Sequence, residues 1–354
     1  MENGVFSKYF LAANSAEGFI SEFASNYDTD WTAYIIKGGP GTGKSSLMRR
    51  FAARAETNNK RVVLCPCSSD PDSLDAVILP DDKCIILDGT APHVVEPRLV
   101  GACEQIINVG QFWDSRKLSD NREKIEKISR ECSAHHKKAA AYIAAAGKLL
   151  SFNASHALTT LNIDSAARTA AALAKKYIRV RGINAREWVR FLGGVTPKGY
   201  ITLGETFESG DLKVIALSDE HGAAASAILS FLRDFALSRH HEIITLKNPI
   251  LPSLLIDGII IPDLWLAFIR VESTAYPAAR HIRTKRFYDG AALRTNQQKM
   301  KFNSKTASSV LVRAGECLQA AKTAHDALER QYISAMDFAA LDKFTEEFLG
   351  KVFD

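Results

Sequence analysis

Short apolar runs bounded by polar or glycine-rich segments recur along the chain and predict buried strands. In the first half the runs are Ala33–Ile36, Arg61–Cys65 and Cys84–Leu87, and in the second half they are Lys213–Leu217, Glu242–Leu246 and Leu264–Val271. Continuous apolar runs of this length are typical of sheets covered on both faces. Two such sets of strands in a chain of 354 residues predict two α/β domains.

Longer segments with helical spacing of apolar residues follow each set of strands. They are Asn121–Ala146 and Ser155–Tyr177 in the first half, and Asn296–Gln331 and Ser334–Val352 in the second. We expect each pair to form a helical hairpin appended to its own core, with apolar faces packed inside the molecule. The predicted domains are residues 1–180, with a helical insert over residues 115–180, and residues 181–354, with C-terminal helices over residues 291–354.

A glycine-rich loop joins the first predicted strand to a helix-forming segment, Ser45–Ala55. Its sequence, GGPGTGKS, fits the phosphate-binding pattern G-x-x-x-x-G-K-[ST]. The glycines let backbone N–H groups point at a phosphate chain, and the helix N-terminus adds the positive end of its dipole. We expect Lys44 to reach the β- and γ-phosphates and the Ser45 hydroxyl to bind Mg²⁺. The predicted nucleotide-binding residues are Gly38, Gly39, Pro40, Gly41, Thr42, Gly43, Lys44, Ser45 and Ser46.

The third predicted strand ends at an acid, Asp88, which can hold a water of the Mg²⁺ shell beside Ser45. The sequence therefore predicts ATP and Mg²⁺ as cofactors, with Ser45 and Asp88 at the metal. No guanine-selecting N-K-x-D follows this core, which favours ATP over GTP. Gly89 stands where many vigorous ATPases place a Glu, so we expect slow hydrolysis, another base, or transfer to a different acceptor.

The segment Cys67–Asp75 is expected to leave the second strand as a loop, at the sheet edge where α/β proteins bind ligands. Its acids Asp70, Asp72 and Asp75 could orient an acceptor hydroxyl or an attacking water, with His93 across the cleft as a second proton-transfer candidate. The acids could instead stabilise a turn, and the histidine could instead make a structural hydrogen bond. The predicted catalytic residues are Lys44, Asp70, Asp88 and His93.

Aligning the chain with itself shows an internal repeat. Residues 10–21 match residues 191–202 at an offset of 181, and the same offset places the phosphate loop on residues 219–226. Further matches join residues 75–81 to 257–263, residues 88–91 to 272–275, and residues 112–114 to 287–289. Four matching segments in one order indicate a tandem duplication, whose copies we expect to form an intramolecular pseudo-dimer.

The second copy has lost the chemistry of the phosphate loop. Ala225 stands in the place of Lys44, and Asp219 and Glu220 lie where phosphate oxygens would bind. Repulsion between those acids and a triphosphate predicts a degenerate nucleotide site. The apolar strands around it are retained, so the fold should persist without the function.

Composition narrows the choice of partners and location. A net charge of +5 without blocks of like charge does not imply nucleic acid. Charged residues and proline interrupt the most apolar stretch, residues 252–271, so no membrane span is expected; with no secretory signal visible, the predicted location is cytoplasmic. Cys65 and Cys67 supply only two thiols, which predicts buried strand thiols rather than a zinc site.

Basic residues gather in two places, 179–190 and 280–286. The second group contains Arg280, Arg283 and Arg286. A solvated face is the default interpretation of such groups. In the alternative, the degenerate copy supplies an arginine to the γ-phosphate bound by the first copy.

Three motifs resemble a group of tandem-duplicated P-loop ATP-binding proteins of Gram-positive and related bacteria. They are the loop Gly38–Ser45, the segment CSSDPDSLD over Cys67–Asp75, and LDGTAPH over Leu87–His93. The resemblance covers essentially the whole chain, including TPKG at Thr196–Gly199. It implies two tandem P-loop NTPase-like three-layer α/β/α domains. The degenerate second loop departs from the family pattern, in which both loops are often recognisable.

The family label names no substrate, so the reaction is predicted from the residues. The leading prediction is slow ATP hydrolysis coupled to a conformational change. A phosphotransferase, or kinase, acting on a nucleotide or small-molecule acceptor is the second possibility, favoured by Gly89 and by the acidic segment before it. A non-enzymatic nucleotide-sensing scaffold is the third.

Overall fold

A computed structural model of the chain describes residues 7–207, 212–272, 278 and 280–353. The first half contains strands β1 (Ser7–Lys8), β2 (Ala12–Ser15), β3 (Gly18–Ser21), β4 (Thr32–Lys37), β5 (Val63–Cys67), β6 (Asp70–Leu79), β7 (Cys84–Asp88) and β8 (Glu104–Asn108), and helices α1 (Lys44–Thr57), α2 (Ser115–Asp120), α3 (Arg122–Thr159) and α4 (Ile163–Tyr177). The second half contains strands β9 (Arg186–Arg190), β10 (Gly193–Thr196), β11 (Gly199–Thr202), β12 (Lys213–Ser218), β13 (Glu242–Lys247), β14 (Ile256–Ile261), β15 (Leu266–Val271) and β16 (Arg280–Arg283), and helices α5 (Ala223–Ser238), α6 (Gly290–Thr295), α7 (Gln297–Ile333) and α8 (Phe338–Phe353). Within the described ranges, no helix is long and apolar enough to cross a membrane.

The protein is an α/β protein with two six-stranded mixed sheets. The first sheet has the order β1-β5-β6-β7-β4-β8, and the second has the order β9-β13-β14-β15-β12-β16. Corresponding pairs run in the same directions: β4 is parallel to β7 and β8, just as β12 is parallel to β15 and β16. In each sheet one central strand is antiparallel to both of its neighbours, β6 in the first and β14 in the second.

The strand β6 corrects the expectation of a loop over Cys67–Asp75. This polar segment, with a proline at position 71, forms the start of a ten-residue strand that pairs antiparallel with β5 and β7. The register between β5 and β6 shifts twice, at Cys65/Pro66 and at Pro66/Cys67, on either side of the proline in β5. Such bulges turn side chains away from strict alternation. They therefore place Asp70 and Asp75 on a strand at the edge of the phosphate loop.

The two sheets face each other, so the layer order is helix, sheet, sheet, helix. Ala33 and Ile35 of β4 lie in one buried cluster with Ala267 and Ile269 of β15. On the outer face of the first sheet, Ile36 packs with α1 and α8; on the outer face of the second sheet, α4 and α5 cover the strands. This differs from the expected three-layer α/β/α domains, because the inner face of each sheet is covered by the other sheet.

The helices that follow each sheet pack on the sheet of the other half. Helix α4 of the first half buries Ala170 and Leu173 against α5, and helix α8 of the second half buries Leu341 and Phe348 with α1. The long helices α3 and α7 pack against each other along their length, and the bonds Cys132 Sγ–Ala321 O and Asn153–Met300 O show that they run antiparallel. The expected hairpins on separate cores are thus replaced by an exchange of helices between halves.

A bridge between two matched residues joins the hairpins β2–β3 and β10–β11. Phe10 and Phe191, which the repeat aligns with each other, exchange two backbone N–H···O bonds of 2.9 Å. Both phenylalanines are fully buried. A residue that pairs with its own counterpart lies beside a local two-fold axis, so the two halves are related by approximate two-fold symmetry.

The exchange of helices predicts that a residue of α8 stabilises the first half. Phe348 is 9% exposed and contacts Tyr34 and Phe51 of the first sheet and α1. Replacing it by Ala removes these contacts and should lower the free energy of unfolding by about 3–5 kcal/mol. Urea denaturation monitored by circular dichroism measures the change.

The exposed Phe302 on α7 serves as the matched control for Phe348. It is 67% exposed, and Phe302→Ala should change stability by no more than about 0.5 kcal/mol. Equal losses in the two variants would contradict the proposed contribution of α8 to the first core.

Candidate functional site

The glycine-rich loop connects β4 to α1 at the edge of the first sheet. Gly41 and Gly43 have φ angles of +67° and +86°, a region that favours glycine, and Gly43 caps the N-terminus of α1. The Thr42 hydroxyl, 1% exposed, donates to Gly39 O at 2.7 Å and holds the turn closed. Gly38, Pro40 and the loop backbone are half-buried, and Ser46 is exposed on the first turn of α1.

Lys44, Ser45 and Asp88 meet at this loop. The Lys44 ammonium donates to Gly39 O at 2.6 Å and lies 3.6 Å from the Asp88 carboxylate. Asp88 ends β7, the parallel neighbour of β4, and its Oδ1 accepts bonds from the backbone and hydroxyl of Thr90. The Ser45 hydroxyl accepts a bond from Leu74 N–H at 3.0 Å. Hydroxyl and carboxylate oxygens at this spot form a donor set suited to Mg²⁺.

The end of α7 and the start of α8 cover the loop from the second half. A methyl group on Gly39 would come within 2.7 Å of the Tyr332 ring, and one on Gly43 within 2.8 Å of Leu341. Glu329 also packs against the loop, because a methyl group on Gly41 would come within 2.9 Å of Glu329 O and 3.0 Å of its Cβ. Hydrogen bonding to His325, with a smaller contribution from the Gly41 backbone, lowers the pKa of its carboxyl, so a negative charge of the second half lies beside the loop.

Glu329 belongs to a polar cluster between α3 and α7. Hydrogen bonding to His325 and to the loop backbone lowers the pKa of Glu329. His136 and His325 hydrogen-bond Cys132 and lower the pKa of its thiol to about 6. The bonds to Cys132 and Glu329 raise the pKa of His325 to about 9. The lowered pKa of the thiol and the raised pKa of the imidazole favour a thiolate–imidazolium pair in this cluster.

Asp70 and Asp72 are paired with lysines of the second half. Lys322 of α7 lies 3.4 Å from Asp70, which also accepts a bond from Ser73 at 2.9 Å. Lys198, at the tip of the β10–β11 hairpin, donates to Asp72 at 2.8 Å and lowers the pKa of that carboxyl. Both acids thus contribute to contacts between halves beside the phosphate loop.

His93 is buried next to Asp75 and not next to Asp70. Its Nε2 lies 3.2 Å from Asp75 Oδ2, and its ring stacks on Phe23 with centroids 4.8 Å apart. The ring is 6% exposed. Of the four predicted catalytic residues, the structure therefore brings together Lys44 and Asp88, while Asp70 and His93 have other partners.

In the second half an internal carboxylate fills the loop that corresponds to Gly38–Ser45. Asp219, 2% exposed, accepts bonds from Ala225 N–H at 2.8 Å and from His221 N–H at 3.2 Å. The Tyr288 hydroxyl donates to the same carboxylate at 3.0 Å and accepts from Ala224 N–H. Three backbone donors of this loop, those of His221, Ala224 and Ala225, thus bond groups of the chain itself.

The strand register corrects the alignment of Asp88 with Glu272. Ile36 pairs with Asp88 in the first sheet, and the matching Leu217 pairs with Arg270 in the second. Arg270 therefore takes the place of Asp88, and it bonds Asp257 at 2.8 Å. The remainder of that match, residues 273–275, lies outside the described residues.

The basic group at residues 280–286 lies at the edge of the second sheet. Arg280 and Arg283 are in β16, which pairs with β12. Arg286 stands over the Phe287 ring near the turn between α3 and α4. The second half instead reaches the first loop through α7, α8 and Lys198. Sequence reasoning missed Glu329 because nothing in its local sequence marks a contact with a loop almost 290 residues earlier.

Comparison with protein-family models, with curated proteins and with solved structures found no match. The family resemblance drawn from the three motifs therefore stays a prediction. The proposed function therefore rests on the geometry of the site.

The Cys132 cluster predicts an unusual pH dependence of thiol alkylation. Because the thiol pKa is about 6, the rate of Cys132 modification by iodoacetamide should rise as the pH passes 6 and level off by neutral pH. Burial raises the pKa of Cys65 and Cys84 to about 12, so these thiols should stay unmodified under the same conditions. Peptide mass spectrometry locates and quantifies the label.

The histidine on α7 provides the control. His325→Asn removes a donor to the thiolate, so the midpoint should move towards the ordinary value of roughly 8.5. An unchanged midpoint in His325→Asn would contradict the assignment of the thiolate to this pair.

Proposed function

We propose that the chain binds Mg·ATP at the loop Gly38–Ser45 and hydrolyses it slowly, with binding coupled to movement of the α7–α8 corner. The observation that carries the proposal is the convergence of Lys44 and Asp88, 3.6 Å apart, where two parallel strands end at the N-terminus of α1. In phosphate-binding loops a lysine serves the β- and γ-phosphates and the neighbouring carboxylate serves the metal shell. Ser45 would complete the Mg²⁺ site.

The proposed rate is slow because no glutamate follows Asp88 to activate water. Gly89, the residue after Asp88, carries no side chain and donates its N–H to Ile36 O at 3.0 Å. Asp70 is held by Lys322 and Ser73.

Coupling to a conformational change follows from what covers the loop. A triphosphate bound by the loop would place negative charge next to the Glu329 carboxylate, which lies beside the Gly41 backbone. Tyr332 and Leu341 touch the same loop at Gly39 and Gly43. Nucleotide binding would therefore displace the α7–α8 corner, and α8 would transmit the movement to the outer face of the first sheet.

Two features support descent of the two halves from one duplicated unit, as the family resemblance implies. The sheets share one strand order, and Phe10 pairs with its counterpart Phe191. In this proposal the second half is a degenerate P-loop-like unit, since Asp219 fills its loop and Arg270 replaces the metal-side acid. Because ATP is a cytoplasmic metabolite, the proposal also places the protein in the cytoplasm.

Product analysis distinguishes hydrolysis from the alternatives. Incubation with γ-labelled ATP and Mg²⁺ should release inorganic phosphate. A labelled acceptor from an added metabolite pool would favour a kinase, and unchanged ATP would favour a nucleotide-sensing scaffold. The lysine pairs of Asp70 and Asp72 count against a kinase, because they occupy the acids that would orient an acceptor.

Removal of the loop lysine should abolish nucleotide-dependent stabilisation. With Mg·ATP at about 100 times its dissociation constant, the wild-type chain should gain roughly 2.7 kcal/mol of stability. Lys44→Ala should lose this gain, because the phosphate charge is no longer compensated, while its melting temperature without nucleotide stays nearly unchanged. Differential scanning calorimetry measures both quantities.

Lys60→Ala is the control for lost positive charge, because Lys60 pairs with Asp82 at the far end of α1. It should keep the full shift. Isothermal titration should count one nucleotide per chain. Two equivalent sites, or an undiminished shift in Lys44→Ala, would place the nucleotide elsewhere.

Removal of the carboxylate that covers the loop should tighten nucleotide binding. Glu329→Ala removes a negative charge beside Gly41, where the phosphates would bind. We expect a gain in ATP affinity of roughly tenfold, which corresponds to about 1.4 kcal/mol. Titration calorimetry with a non-hydrolysable analogue and Mg²⁺ gives the affinity directly.

Glu316→Ala, on the same helix, separates the contact from the general effect of charge. Glu316 pairs with Arg313 on the exposed surface of α7, several turns before Glu329. Its affinity should match the wild type within about twofold. Weaker binding in Glu329→Ala would mean that Glu329 supports the nucleotide site and does not compete with it.

A further inference from the structure

Three side chains that could ligate a metal ion converge beside the phosphate loop. Cys67 ends β5, Asp75 lies in the neighbouring strand β6, and His93 follows β7, the next strand across. One ligand atom of each residue lies within 4.8 Å of the other two, and His93 Nε2 is 3.2 Å from Asp75 Oδ2. Thiolate, carboxylate and imidazole are the three ligand types that zinc uses in proteins.

The charge of Asp75 has no fixed counterpart in this cluster. Its side chain is 8% exposed, and within the described ranges no lysine or arginine pairs with it. Its close neighbours are the Cys67 thiol, whose pKa is raised by burial and by Asp75 itself, and His93. A buried carboxylate without a cation is costly unless protons or a metal compensate its charge.

The ring of His93 adds a second sign of an incomplete site. Its Nδ1 is buried and has no hydrogen-bond partner. Phe23 stacks on the ring at 4.8 Å and Phe19 lies 5.1 Å away, so the ring is fixed by apolar contacts. These ring contacts orient the imidazole and leave Nδ1 without a partner, as suits a ligand held in place before the metal binds.

At the position of the second half that corresponds to Asp75, an arginine neutralises the carboxylate. Asp257 corresponds to Asp75, and Asn248 corresponds to Cys67 at the offset of the repeat. There the Arg270 guanidinium bonds Asp257 Oδ1 at 2.8 Å, and the Asn248 amide bonds Oδ2 at 2.8 Å. Where the thiol is absent, an arginine neutralises the carboxylate. The first half keeps the thiol and has no such arginine.

We propose that Cys67, Asp75 and His93 bind one Zn²⁺-type cation in the first half, with a fourth position open to water or another ligand. Binding replaces the proton of the Cys67 thiol by the metal and releases that proton to solvent. The mixed sulfur, nitrogen and oxygen donors separate this site from the Mg²⁺ site at Ser45 and Asp88, which offers oxygen alone. Ala76 of β6 pairs with Leu87 of β7, and Asp75 and Asp88 are the next residues along the two antiparallel strands. The two sites would therefore be neighbours.

Metal titration of the full chain tests the proposal without nucleotide. The chelator-treated protein should bind one Co²⁺ per chain, with a thiolate-to-cobalt charge-transfer band in the near ultraviolet, and Zn²⁺ should displace the Co²⁺. Cys67→Ser should abolish the band. His93→Gln should weaken Zn²⁺ binding by more than roughly 100-fold, since loss of an outer partner alone weakens metal sites by roughly 10–100-fold.

Two cysteine variants provide matched controls. Cys65→Ser changes a buried thiol on the same strand that lies outside the cluster, and it should keep the band. Cys132→Ser removes the thiolate next to His136 and His325, which is the competing cobalt ligand, and it should also keep the band. A band that disappears with Cys132 and persists without Cys67 would overturn the proposal.

A further variant distinguishes the loss of a metal ligand from misfolding of the chain. Cys67→Asn installs the residue that the second half carries at this position, so it should fold, as judged by its melting curve, and still bind no cobalt. Stoichiometric cobalt binding by folded Cys67→Asn, or no binding by the wild-type chain, would also overturn the proposal. Because none of these measurements uses ATP, their outcomes are independent of the proposed nucleotide binding.

Discussion

Every other feature of this protein depends on how the faces of its two sheets are covered. Each sheet has two apolar faces, and the inner faces cover each other through residues such as Ile35 and Ile269. The outer faces then need helices. A single helix connecting two strands, α1 or α5, is too narrow for six strands, since a helix with its side chains is about 10–12 Å wide and strands lie about 4.8 Å apart. The helix from the other half completes each layer, so neither half can bury its own core alone.

This exchange determines what reaches the phosphate loop. To cover the first sheet with α8, the chain has to turn from α7 beside Gly39, Gly41 and Gly43. The corresponding turn from α3 to α4 passes the second loop. Since α3 begins at Arg122 and α7 at Gln297, Ala154 takes the place of Glu329 and Leu150 that of His325. The polar cluster therefore exists only at the loop that keeps its lysine, which ties it to the chemistry of that loop and not to the packing that both halves share.

The sequence predicted the structure correctly where a local pattern is compatible with only one structure. The strand, loop and helix around Lys44 lie within a residue or two of their predicted bounds, because glycines, an apolar run and a helix-forming segment agree. Strand β6 was missed because Asp70–Asp75 is polar and contains a proline, and only two register shifts let it pair. The layer order and the helix exchange could not be predicted, because the spacing of apolar residues in α4 and α8 predicts that each helix packs on a sheet but not on which sheet. The sequence alignment placed Glu272 on Asp88, two residues beyond Arg270, because it followed chemical similarity and not strand register.

The two halves differ in one consistent respect: groups of the second half stand where ligands are proposed in the first. The Asp219 carboxylate lies in the loop where a phosphate would lie, and the Arg270 guanidinium neutralises Asp257 where a metal would neutralise Asp75. No ligand is proposed for the second half, because internal groups already lie at these positions. A ligand shifts a conformational equilibrium only through its different affinity for two states. The proposed binding energy of nucleotide and metal can therefore act only on the first half and on the α7–α8 corner that covers its loop.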